Sequence, residues 1–306
     1  MFYHTKKLQY QVKPEKPNAA FANKVQEVLG GQYGEMTVMT QYLFQGWNCT
    51  GPAKYKDMLL DIGTEEIGHV EMLCTLIAQL LDGAPISEQE AAAASNPMMA
   101  AIIGGSNPQH SIVGGGGARP TDSMGNPWNG GYVTNSGNLF ANFQANLNAE
   151  VNGRIQVCRL YEMTDDPGIR DTFQYMIARD TMHQNQWMAA LEDMKAEGLD
   201  AYPAPMAFTA DSPHADARYQ FWNLSEGTQS QEGRWASGPT PDGKGEFVYL
   251  ADPKPLGPEP SLPTPDARLY DLPPAMSVGH ADGAPANGVV GVLKQAVATI
   301  TEKVTG

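Results

Sequence analysis

Glu66-Ile67-Gly68-His69 and, more than a hundred residues later, Asp180-Thr181-Met182-His183 each set a carboxylate three residues before an imidazole. Residues three apart on a helix share a face, so each pair can reach one point beside its helix. Glu35 and Glu150 lie on two further stretches of helical periodicity. One carboxylate from each of two helices, with a carboxylate-x-x-His pair from each of two others, is the ligand pattern of a dinuclear metal site inside a four-helix bundle. A chain organised around such a site has little freedom in how its helices are arranged.

The neighbours of each candidate agree with inward placement. Glu35 has Val28 seven residues before it, Met39 four after and Tyr42 seven after. Glu66 shares its face with Leu59, Ile62, His69, Val70 and Leu73; Glu150 has Phe143 and Leu147 behind it and Val157 ahead. His183 follows Met176 and precedes Trp187 on the same stripe. A carboxylate on a core-facing stripe is costly to bury unless something positive pairs with it. Three of them on different helices, joined by two histidines, share a need that a metal pair meets. Glu65 and Glu71 fall off this face and read as solvated charges. Carboxylates and imidazoles suit manganese and iron alike, so ligand type does not choose the metal.

Four helical blocks carry these residues, over about Asn18–Trp47, Lys54–Leu81, Asn138–Met163 and Ile169–Glu197. Gly30, Gly31 and Gly34 weaken the first block, each by about 1 kcal/mol relative to alanine. Short turns at Cys49-Thr50-Gly51-Pro52 and Asp165-Asp166-Pro167-Gly168 make two hairpins, joined by a long glycine-rich crossover over 83–137. Trp128 and Tyr132 predict that this crossover is an ordered excursion. The expected fold is all-α, a ferritin-like four-helix bundle over 1–198 with one long crossover. Residues 199–306 hold fourteen of the 23 prolines together with interspersed aromatics (Tyr202, Phe208, Phe221, Trp222, Trp235, Phe247, Tyr249). They read as an extended, ordered tail wrapping the bundle or a neighbouring subunit and ending in an amphipathic stretch from Val289 to Ile300.

The formal charge of −14 argues against a nucleic-acid partner, whose phosphates need a basic face. No apolar run is long enough to span a membrane, and the N-terminus lacks the apolar core of a secretory signal. Cys49, Cys74 and Cys158 are widely spaced in helical sequence and read as buried thiols in a reducing compartment. The cytoplasm is the expected location.

At the metal-ligand positions the chain resembles the manganese catalases, over the whole bundle and into the tail. The resemblance implies two manganese ions per subunit held by Glu35, Glu66, His69, Glu150 and His183, and hydrogen peroxide as the substrate, disproportionated to water and dioxygen. It implies a functional tyrosine at Tyr42. The family's better-known members have an arginine just before the third-helix Glu and a glutamate three residues before the last His. Here those positions hold Ala149 and Asp180, so the gate over the substrate channel is missing or rebuilt. Arg154 and Arg179 are candidate replacements, though a surface or structural role suits both. Asp180, one methylene shorter than glutamate, is expected to lie beyond ligand reach and to orient a solvent ligand or take up a proton from incoming peroxide. The resemblance further implies a structural calcium site, matched here by Asp57, Asp61, Asn223, Ser225 and Gly227, and a homohexamer. The competing readings are a diiron oxidase or ferroxidase of the same bundle class and a non-enzymatic ferritin-like storage protein.

Overall fold

Asn18 starts the first helix as the sequence predicts, its side-chain oxygen accepting from the Phe21 amide at 2.9 Å. Helix α1 then runs Ala19–Gly30 and stops; α2 begins anew at Glu35 and runs to Asn48. The single helix expected over Asn18–Trp47 is therefore two. The glycines explain the break. A Cβ on Gly31 would meet the Glu27 carbonyl at 2.5 Å, and one on Gly34 would meet the Leu29 and Val28 carbonyls at 2.8 Å, so the chain turns where a side chain has no room. Helix α3 spans Ala53–Leu81, and the short α4 spans Pro108–Ile112. Helix α5 (Leu139–Glu162) is capped by Asn138, whose side chain accepts from the Ala141 amide. Helix α6 (Pro167–Ala196) is capped by the Asp166 carboxylate, which accepts from Gly168 and Ile169. Proline at its first position needs no amide partner, so α6 starts two residues earlier than the periodicity indicates. Helix α2 packs on α3 and α5 on α6, the two hairpins of the expected bundle.

The computed structural model describes residues 3–83, 107–200, 215–255 and 257–261. The chain divides into two compact units, Met1–Pro203 and Ala204–Gly306. In the first, the crossover from 107 onward is ordered against α1 and α2. Gln26 donates to the Arg119 and Thr121 carbonyls at 2.6 Å each, and Ser123 donates to Glu27 through both its amide and hydroxyl. Trp128 Nε1 donates to Thr37 at 3.0 Å, and the Thr134 amide to Gln41 at 2.8 Å. The crossover lies so close to α1 that a Cβ on Gly30 would stand 2.2 Å from the Thr121 carbonyl oxygen. Residues 84–106 of the crossover lie outside the described residues.

Buried apolar side chains of the bundle form two clusters. One joins Phe21, Val25, Met72, Leu73, Leu76, Val157, Phe173 and Met176. The other joins Val38, Tyr42, Leu59, Ile62, Phe143, Trp187 and Met194. Helices α3, α5 and α6 contribute to both, α1 only to the first and α2 only to the second, and between the two sets α3, α5 and α6 carry buried polar residues.

In the second unit, β1 (Gln220–Trp222) pairs parallel to β3 (Glu246–Leu250), and β2 (Ser237–Pro239) pairs antiparallel to β3. This small sheet is a feature that the proline-rich composition does not announce. Tyr202, Phe208 and the amphipathic stretch from Val289 lie outside the described residues. None of the cysteines is in a disulfide; Cys49 and Cys74 are half-buried. Cys158 is exposed, a correction to its reading as a buried thiol: it follows Val157, which takes the core position on α5.

Candidate metal centre

The polar interval between the two apolar clusters contains Glu35, Glu66, His69, Glu150, Asp180 and His183, all of them buried. Glu35 opens α2, where the amide end of the helix favours a negative charge. Glu66 and His69 lie one turn apart on α3, Glu150 lies on α5, and Asp180 and His183 lie on α6. Two sets of ligand-capable atoms converge: Glu35, Glu66 and His69 in one, Glu66, Glu150 and His183 in the other, each within 4.8 Å of one another. Glu66 belongs to both. Its Oε2 is 2.6 Å from His69 Nδ1 and its Oε1 is 2.7 Å from His183 Nδ1. His69 Nδ1 is also 3.6 Å from Glu35, and His183 Nδ1 is 3.6 Å from Glu150.

These short approaches are not ordinary hydrogen bonds. Both oxygens of Glu66 and both ring nitrogens of each histidine are buried without a partner of hydrogen-bond geometry. Orphaned buried polar atoms are costly and rare in folded proteins. Lone pairs that converge on common points without satisfying one another are what a pair of cations would satisfy. The donor set, oxygen-rich with one imidazole per group and a carboxylate between them, fits divalent manganese or iron.

The electrostatics lead to the same conclusion. Burial, reinforced by Glu66, pushes the Glu35 carboxyl up to about 8. Burial likewise raises Glu150, with Glu66 adding to the shift, and raises Asp180 well above the carboxylate range, with Glu35 and Glu150 contributing. Glu66 goes the other way: burial opposes its ionisation, but His69 and His183 outweigh it and hold the carboxylate ionised. Burial disfavours charge on both imidazoles, yet Glu66 overrides it and raises each. The site gathers more negative charge than its own residues balance without taking up protons.

Tyr42 is fully buried, and its hydroxyl donates to Glu150 Oε1 at 2.6 Å; Trp187 Nε1 approaches the same oxygen at 3.5 Å. Ala149 is buried and offers no charge. Arg154 donates to Thr181 at 3.3 Å on the outer side of the α5–α6 pair.

The reading of Glu65 as a solvated charge is corrected by the structure. Its carboxylate accepts from Arg179 through Nε at 2.5 Å and Nη2 at 3.0 Å. It also stands 3.2 Å from His183 Nε2 and 3.8 Å from His69 Nε2, behind both imidazoles. The stripe of α3 hides this, because Glu65 faces the seam with α6. A signal was nonetheless present: Glu65 lies four residues before His69 and Arg179 four before His183, one acid and one base in matching register. Glu71 is partly exposed and meets His4 at 2.9 Å. Asp57 and Asp61 are exposed on α3. In the second unit, the Asn223 carboxamide, turned to suit its surroundings, donates to the Ser225 and Gly227 carbonyls at 3.0 and 3.3 Å.

Helical bundle and bridged ligand groups together define a protein of the dinuclear carboxylate–histidine class. Residues 1–289 match the family profile of the manganese-containing catalases. A manganese catalase of Bacillus subtilis is 50% identical over 274 residues, spanning 89% of this chain and 99% of that protein. One from Lactiplantibacillus plantarum is 41% identical over 273 residues, with coverage of 89% and 99%. Among solved structures, a manganese catalase from Anabaena aligns with a TM-score of 0.63 at 26% identity, covering 83% of this chain and all of that one. The chain belongs to the manganese-containing catalase family. Membership leaves the diiron oxidase and storage readings without support.

Proposed function

We propose that this chain disproportionates hydrogen peroxide, two molecules yielding two waters and one dioxygen, at two manganese ions held by Glu35, Glu66, His69, Glu150 and His183. The observation that carries the reading is the pair of buried ligand groups sharing Glu66, whose inward atoms lack other partners. Bound manganese supplies the redox chemistry, taking electrons from one peroxide and returning them to the next.

The protein's own residues handle protons and access. Tyr42 donates to Glu150 Oε1 and fixes which lone pair of that carboxylate points inward. Asp180 is buried one turn before His183, and burial together with Glu35 and Glu150 raises its carboxyl well above the ordinary carboxylate range, which favours its holding a proton. We assign it to proton exchange with substrate, where a positioned group contributes upward of about 10²-fold. The six polar side chains of the site are all buried, which limits their contact with bulk water.

Metal analysis of protein expressed with added manganese, combined with oxygen release from peroxide, tests the assignment. Two manganese per chain with rapid oxygen release is expected; a metal-free protein or one inert to peroxide refutes it. Asp180→Ala keeps its manganese and loses about 10²-fold in rate on this reading, whereas loss of half the metal makes Asp180 a ligand. A structural calcium held through Asp57 and Asp61 remains part of the proposal, supported by the one-turn spacing of two exposed aspartates. Calcium is expected to raise the melting temperature of wild-type protein and not of Asp57→Ala; equal responses remove the site. The proposed assembly is a homohexamer in the cytoplasm, which sedimentation of the pure protein checks.

A further inference from the structure

We infer that Glu65, clamped by Arg179, is a positioning residue for both metal-binding histidines at once; the inference rests on the reading of the site given above. Each imidazole is oriented with Nδ1 toward the shared ligand groups, at 2.6 and 2.7 Å from Glu66, leaving Nε2 on the opposite side of the ring. Both Nε2 atoms lie on side chains with no solvent exposure and lack a partner of regular geometry. Glu65 is within ion-pair distance of both, Oε2 at 3.2 Å from His183 and Oε1 at 3.8 Å from His69.

A neutral imidazole carries its proton on one nitrogen only, and the partner of the second nitrogen decides which. A carboxylate behind Nε2 draws the proton there, frees the Nδ1 lone pair for the metal and makes it more basic. One carboxylate ordinarily serves one ring. Here the two rings stack 5.8 Å apart at 28°, so a single carboxylate spanning the seam between α3 and α6 reaches both. Glu65 needs a fixed orientation to place one oxygen at each ring, and Arg179 supplies it through two donors on the two oxygens. That fork geometry belongs to arginine and not to lysine. The consequence is coupling: a change at Glu65 disturbs both metal positions, although Glu65 belongs to neither ligand group.

The test is manganese affinity, measured by competition with a chelating dye, together with the melting temperature of the metal-free protein and the electron paramagnetic resonance spectrum of the loaded one. Glu65→Gln keeps size and shape. It is expected to weaken manganese binding by about 10- to 100-fold at both positions, to alter the coupled manganese spectrum at saturation, and to leave the metal-free protein melting near wild type. Arg179→Gln is expected to fall between the two, with Arg179→Lys recovering part of the loss. Glu71→Gln, on the same helix but paired with His4, keeps wild-type affinity. Wild-type affinity in Glu65→Gln overturns the inference, as does a lost affinity matched by an equally lowered metal-free melting temperature, which marks Glu65 as a packing residue. If the wild-type protein itself takes up no manganese, the proposed function fails first and this inference falls with it.

Discussion

Manganese binding should be pH-dependent, and the structure gives the sign. In the metal-free site Glu35 is protonated at neutral pH, with its carboxyl up at about 8 because of burial and the neighbouring Glu66. Glu66 also raises His69 and His183 above the ordinary imidazole, which favours their protonated forms in the metal-free site. Each of the three offers a metal the lone pair that its proton occupies. Uptake of manganese therefore displaces up to three protons, each contributing about 1.4 kcal/mol per pH unit. From pH 8 to pH 7 the overall binding constant should fall, by about tenfold for each proton displaced. Stability follows a related course. A group with a raised folded-state pKa stabilises the fold below its unfolded value and ceases to do so as pH rises through the folded one. For Glu35 that window runs from 4.5 to about 8, and between pH 6 and pH 8 it amounts to about 3 kcal/mol at most. Glu66, whose shift is downward, contributes no slope there. Chelated protein should melt lower at pH 8 than at pH 6, and manganese should reverse that order. The assays are dye competition across pH, proton release followed with an indicator, and calorimetry with and without chelator. Affinity that is flat between pH 6 and pH 8, or uptake without proton release, refutes the account.

Three further outcomes follow from the geometry. Glu66→Gln, which alters the residue common to both groups, should abolish binding of nearly all manganese, whereas His69→Ala and His183→Ala should each weaken one position more than the other, as metal analysis under limiting manganese will show. Tyr42→Phe removes a 2.6 Å hydrogen bond to Glu150; a bond to a charged group is worth about 1.5–3 kcal/mol, so oxygen release should fall and the melting temperature with it. Gly30→Ala places a methyl 2.2 Å from the Thr121 carbonyl and should cost about 1–3 kcal/mol by chemical denaturation, while the same change at Gly130, where a Cβ meets nothing within 4 Å, should cost far less.

The five proposed ligands were legible because the demands on them repeat with the helix. A carboxylate that recurs at the position where its neighbours are Leu59, Ile62 and Leu73 is assigned to the core by its spacing alone. What periodicity reports, though, is one helix at a time. Glu65 sits one residue off that stripe and looks solvent-facing until α6 is placed beside it, so its role belongs to a seam between helices that no single stripe describes. The break between α1 and α2 was signalled by three glycines, yet their weakening of a helix does not distinguish a close contact from a stop. The break itself is local, where Gly31 and Gly34 lie against the carbonyls of Glu27, Val28 and Leu29, whereas Gly30 answers a close contact with Thr121, ninety-one residues away on the crossover. The small sheet of the second unit was hidden for a related reason: each strand is too short, at three to five residues, for alternation to rise above a proline-rich background.

The unequal division of the ligands between the two halves of the chain has a bearing on the order of events during synthesis. Glu35, Glu66 and His69 all precede the crossover, so one complete ligand group is encoded before residue 70. The other is not self-sufficient: Glu150 and His183 come from the second hairpin and complete their group by borrowing Glu66 from the first. A metal captured by the first hairpin needs only local chain, whereas the second closes a loop of more than a hundred residues from Glu66 to His183. Loading is thus expected to be sequential, with the later ion acting as a rivet between halves that are by then already folded.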